Sequence, residues 1–151
     1  MDSRVCTVEG IDVCIEEILG EYVGDCAKAV AAGVRDTTRQ MKEETQQSAP
    51  TAAADGSYGG YRWPVDAAHI GRFRKSISFQ FVDRGMTSTG TWYVKPPDHR
   101  LTHLIVHGHK KFAFGRPVAG RTEGNSFLHE AVEHAEAALP RNVTKRIGEI
   151  R

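Results

Sequence analysis

The sequence predicts an α+β domain. Three observations predict it: a long apolar stripe of 3.6-residue period near the start, strict alternation around residues 77–81, and a second helical stripe after residue 125. At 151 residues the chain fits one domain, 1–151, able to bury roughly 70% of the surface its unfolded form exposes. Apolar residues at 40% and charged residues at 26% are ordinary for a globular domain. No apolar run approaches the roughly 18 residues of a membrane span, and MDSRVCTVEGIDVC carries no signal-peptide pattern, so a cytosolic compartment is the default expectation. Cys6, Cys14 and Cys26 form no CxxC pair and are odd in number, which predicts small, reduced, partly buried thiols.

The first stripe runs Ile11, Ile15, Ile18, Leu19, Tyr22, Cys26, Ala29, Val30, Val34 and Met41, the pattern of an amphipathic helix. Continued to about residue 47 it makes a rod of roughly 50 Å, longer than one small core covers. Gly20, Gly24 and Gly33 each weaken it by up to about 1 kcal/mol relative to Ala, so a break near Gly20 or Gly24 is the alternative. Such an overhang is covered either by a neighbouring subunit or, if the helix bends, by its own sheet. Pro50 stops the helix.

Residues 48–74 form a long Gly-, Ala- and Pro-rich connection, expected to be flexible or ordered on assembly. Its aromatics Tyr58, Tyr61 and Trp63 suit a loop that docks on something. From Ser76, the residues Ile77, Phe79 and Phe81 alternate with Ser78 and Gln80, and Thr91–Val94 returns, giving an antiparallel hairpin over about 76–95. The run LTHLIVHG (101–108) is too short to assign, either a third strand of this small sheet or a short helix. Residues 107–124 read as a basic Gly-rich loop. Asn125 or Ser126 then caps a C-terminal helix with Phe127, Leu128, Ala131, Val132, Ala135 and Leu139 on its apolar face, kinked near Pro140.

Charge is segregated although the net charge is only +1. Val5 to Ala27 holds six acids and no Lys or Arg; His99 to Thr122 holds five Lys/Arg, four His and no acid. Both stretches are candidate contact surfaces. The basic and aromatic residues Lys110, Lys111, Phe112, Phe114, Arg116 and Arg121 also have the composition that binds phosphates or stacks on bases, so a small nucleic-acid-binding module is the alternative function.

Enzyme chemistry finds little footing. There is no GxSxG, no GxxxxGK[ST] and no GxGxxG after a strand. His103 and His107 share a face if helical, but no acid lies in the segment, there is no HExxH, and as a strand the two would stand about 13 Å apart. No catalytic residue, metal or cofactor is assigned.

Four stretches carry a family resemblance: GRFRKSI (71–77), YVKPPDHRLTHLIVHGH (93–109), GRPVAGR (115–121) and the Phe127-Leu128 entry to the last helix. In their order, and with a long first helix ending in Ser-Ala-Pro (48–50), the sequence resembles the neck, tail-completion or head–tail joining proteins of tailed bacteriophages, also described as minor tail components. The resemblance spans about residues 11–148. It implies a non-enzymatic α+β virion protein, assembled in the bacterial host cytoplasm into a homo-oligomeric ring, expected to be a hexamer. It further implies a portal, connector or head-closure protein on one side and a tail terminator or tail tube on the other. DNA would pass through the lumen without sequence specificity, and no membrane would be involved. A head-to-tail ring needs two different patches on each subunit. The acidic helix (Glu16, Glu17, Glu21, Asp25) is expected to meet the basic patch (Lys110, Lys111, Arg116, Arg121) of an adjacent subunit or of the connector.

Overall fold

The computed structural model describes residues 10–51, 57–58, 61–62, 71–113 and 116–150. Helix α1 (Ile11–Ser48) is one unbroken element of 38 residues, roughly 57 Å long at 1.5 Å per residue. It continues through Gly20 and Gly24, where an added Cβ would meet nothing within 4 Å, so the expected alternative of a break is not realised. It ends ahead of Pro50 as Ala49 turns to ψ 137°. Arg74 Nε closes that end by donating to the Ala49 carbonyl at 2.5 Å.

Helix α4 (Phe127–Gly148) lies antiparallel on α1, with His134 beside Glu44, Asn142 bonded to Thr37 at 2.9 Å and Arg146 to Asp36 at 2.6 Å. It runs through Pro140 as one helix. Pro140 has no N–H for the Glu136 carbonyl, and in the next position Arg141 Nε donates to the Ala137 carbonyl at 3.1 Å. At its start the Asn125 side chain accepts from the Phe127 N–H at 2.9 Å, one of the two caps expected.

Two-residue strands β1 (Ser57–Tyr58) and β2 (Tyr61–Arg62) pair antiparallel within the long connection, and the five-residue helix α2 (Arg72–Ser76) follows. The predicted hairpin is β3 (Ile77–Asp83) with β4 (Ser88–Val94), in the register Ile77↔Val94, Phe79↔Trp92, Phe81↔Gly90. It lies along α1: Trp92 Nε1 donates to Thr45 Oγ1 at 2.8 Å, and Gln46 Nε2 to the Ile77 carbonyl at 3.0 Å. Further along, Gly90 passes so near Thr38 that an added Cβ would collide with its hydroxyl.

The core sits at the C-terminal end of α1. Ala49, Phe73, Ile77, Val94 and Phe127 are buried together, with Trp92, Ile105, Val106 and Leu128 packed on them. Phe73 and Phe127 meet edge to face at 6.3 Å. Ile105 and Val106 come from the ambiguous run, which is a helix, α3 (Thr102–His107), entered through a 3₁₀ turn at Asp98–Leu101.

Three expectations need correction. Residues 107–124 are not a loop but contain a second hairpin, β5 (His109–Ala113) with β6 (Arg116–Thr122). The three strand pairs form separate two-stranded sheets, so among the described residues no third strand joins β3–β4. The expectation of reduced, partly buried thiols fails at Cys14, which is disulfide-bonded, and holds at Cys26, which is free and half-buried.

Candidate interaction surfaces

The first surface is the N-terminal third of α1. The contacts of α1 with α4 and with β3–β4 noted above fall between Asp36 and Gln46, and the first buried residue of the helix is Ala29. Consequently no residue from Ile11 to Val23 is buried. Ile11, Val13, Ile15, Ile18, Leu19, Tyr22 and Val23 are 48–60% exposed. Ile11, Ile15, Ile18, Leu19 and Tyr22 continue the same stripe that, at Ala29, Gly33 and Thr37, is buried against α4. Among the described residues the helix has outrun its cover while keeping its apolar phase. Uncovered apolar surface on the order of 500 Å² lies at the upper end of what a monomer ordinarily presents.

This stripe runs into a groove of about 240 Å³ between α1 and the β3–β4 turn, lined by Tyr22, Val23, Cys26, Ala27, Val30, Gly85, Met86 and Ser88. Met86 is 79% exposed at its rim. The Cys26 thiol, through a hydrogen bond and then its charge, pushes the Tyr22 hydroxyl above its usual pKa. Helical phase places Asp12 and Glu16 on one flank of the stripe, Glu21 and Asp25 on the other, and Glu17 behind it. Asp25 pairs with Lys28 at 2.9 Å. Beside it lies the C-terminal end of α4, around Arg146, Glu149 and Ile150.

The second surface is the β5–β6 arm. Its base is held by one backbone and one side-chain hydrogen bond: Asn125 N–H donates to the Ile105 carbonyl at 2.8 Å, and Arg121 Nη2 to the His107 carbonyl at 3.0 Å. Gly108, at φ +69°, enters against the Thr122 carbonyl, and Gly124 leaves against that of Val106; at neither position is there room for a Cβ. Beyond that base the two strands pack chiefly on each other. The register runs His109↔Thr122 and Lys110↔Arg121, then shifts to Phe112↔Pro117 and Ala113↔Arg116. Gly120, at φ +104°, lies in the irregular part, as bulges favour.

Lys110, Arg116 and Arg121 are exposed on this arm and Lys111 is half-buried. Lys110 and Arg121 face each other directly across the ladder, a like-charge pair that disfavours the bare hairpin and suits an anionic partner. Phe112 lies in β5, while Phe114 falls outside the described residues. Tyr58 and Tyr61 are backbone partners in β1–β2, and Trp63 also falls outside the described residues.

The two surfaces sit at opposite ends. The arm springs from the core at Ala49, and Glu16 stands roughly 50 Å up the helix from there. A seven-residue strand spans only about 24 Å, so the acidic and basic patches cannot meet within one chain.

Helix α3 puts His103 and His107 one turn apart and exposed, but among the described residues no cluster of three His, Cys, Asp or Glu forms. His129 pairs with Glu133 at 3.3 Å along α4, as its i, i+4 spacing predicts, whereas His134 reaches across to Glu44 at 2.5 Å. That carboxylate, by hydrogen bond and then by charge, holds the His134 imidazole above its usual pKa. Sequence reasoning missed the groove and Met86. The available signal was a large apolar residue inside the turn Asp83-Arg84-Gly85-Met86, where solvent exposure is the rule.

No family profile, no curated protein and no solved structure matches this chain.

Proposed function

We propose that this chain is a structural virion protein of a tailed phage, a neck or tail-completion subunit that assembles into a homo-oligomeric ring between the DNA-filled head and the tail. The observation that carries assembly is the overhang of α1, whose apolar stripe emerges from the fold uncovered from Ile11 to Val23. A surface of this kind is stable in water when another subunit covers it. Dissimilar surfaces at the two ends suit head-to-tail contacts, which close into a ring when the rotation between neighbours permits. Placement in the neck rests on the resemblance of residues 71–77, 93–109 and 115–121. It carries with it a hexameric ring, a portal, connector or head-closure partner on one side, a tail terminator or tail tube on the other, and DNA in the lumen.

Native mass measurement of the purified protein, alone and with phage connector and tail-tube proteins, tests this reading. A ring-sized species, alone or with a partner, is expected. A monomer at every concentration that binds neither protein overturns it.

The exposed cations of the β5–β6 arm favour one second reading, a nucleic-acid-binding module. It predicts DNA affinity of the monomer that falls steeply with salt and drops when Arg116 is replaced by Ala.

A further inference from the structure

We infer that the uncovered stripe of α1 is the seat for a second copy of this chain, specifically for its β5–β6 arm. This inference rests on the assembly reading above and names its contact. The seat and the arm match in length: 13 residues of helix from Ile11 to Val23 span roughly 20 Å, and the seven residues of β6 about 24 Å.

Charge decides against the simplest alternative, in which two overhangs pair with each other. In an antiparallel pair the flank of Asp12 and Glu16 would face its own copy, acids against acids. The occupant must therefore be basic, and 109–122 is a basic stretch without a single acid. One further feature points the same way. On the arm, the opposed Lys110 and Arg121 need anions to relieve their repulsion. Because the two patches cannot meet within one chain, each subunit gives its arm to one neighbour and receives an arm from the other.

The test uses two full-length variants. One reverses the arm (Lys110→Glu with Arg116→Glu), the other the seat (Glu16→Lys with Asp25→Lys). Among the described residues none of these side chains bonds to another element, so circular dichroism should match the unaltered protein in both. Each variant alone should associate about tenfold or more weakly. Mixed one to one, they should assemble again, because every contact in an alternating ring then pairs opposite charges. Full assembly of both variants alone overturns the arm-to-helix contact and leaves the assembly reading standing. Loss in both without recovery on mixing also overturns the contact. An unaltered protein that stays monomeric, with and without the neck proteins, overturns both.

Discussion

Gly33 of α1 lies directly on the backbone of Val143 in α4: a Cβ placed on it would stand 2.7 Å from Val143 Cγ2 and 2.8 Å from Val143 Cα. That contact lets the two long helices approach closely enough for Asp36 to reach Arg146 and for Thr37 to reach Asn142. Glycine in a helix interior, read from sequence as a weakness, is here a condition of the packing.

Gly33→Ala should therefore destabilise the protein by about 1–3 kcal/mol, because backbone must move and the helix-propensity gain of about 1 kcal/mol does not offset it. Gly24→Ala, made where an added Cβ meets nothing, should have the opposite sign, stabilising by up to about 1 kcal/mol. Urea midpoints of the two variants, measured side by side, check the contrast.

Gly108→Ala combines a left-handed backbone with a collision against the Thr122 carbonyl. A loss of about 2 kcal/mol or more is expected. Hydrogen exchange should show the damage at the base of the arm, in the Asn125 and Thr122 amides, before it reaches the α1–α4 contact.

The His134–Glu44 pair makes the helix contact pH-dependent. The folded pKa of His134 is raised above its unfolded value near 6.5, so its contribution is complete below that value while Glu44 stays ionised. It is lost as pH rises through the raised folded pKa. Urea titrations of the unaltered protein should lose stability across that window, and His134→Gln should flatten the change. An equal slope in both proteins would remove His134 from the account.

Leu19→Ser with Tyr22→Ser should leave the urea midpoint of the monomer nearly unchanged, within about 0.5 kcal/mol, since both side chains are more than half exposed. Assembly should suffer strongly in the same variant. Sedimentation velocity separates the two effects, and a variant that assembles normally removes the stripe from the interface.

Much of the architecture was legible because burial imposes period. The 3.6-residue stripes of α1 and α4 and the alternation of Ile77, Phe79 and Phe81 all mark faces that pack on something. The six residues of α3 were not legible, because a segment that short contains too few turns to express a period. The β5–β6 arm escaped for a different reason. It packs chiefly on itself, so no face is selected to be apolar, and Pro117 and Gly120 inside β6 are residues that read as loop. The charge of Lys110, Arg116 and Arg121 was visible from the start; that a ladder holds them out from the body was not. Likewise the acids of α1 are visible in the sequence as a run, but only the structure shows that they are distributed around an exposed apolar stripe.

Because α1 outlasts its support, its first three turns differ in stability from the rest. A helix of 13 residues alone is marginal in water, and here Gly20 and Gly24 lower it further. Extension from the packed half removes the cost of nucleation but leaves turns that bury no residue of their own, so amides before Val23 should exchange faster than those between Ala29 and Thr45. A neighbour that docks there fixes these turns as it binds. Association then carries the thermal signature of folding, with a negative heat-capacity change and a marked dependence on temperature. Subunits of this design stay apart until the last stretch of helix and the contact can form together.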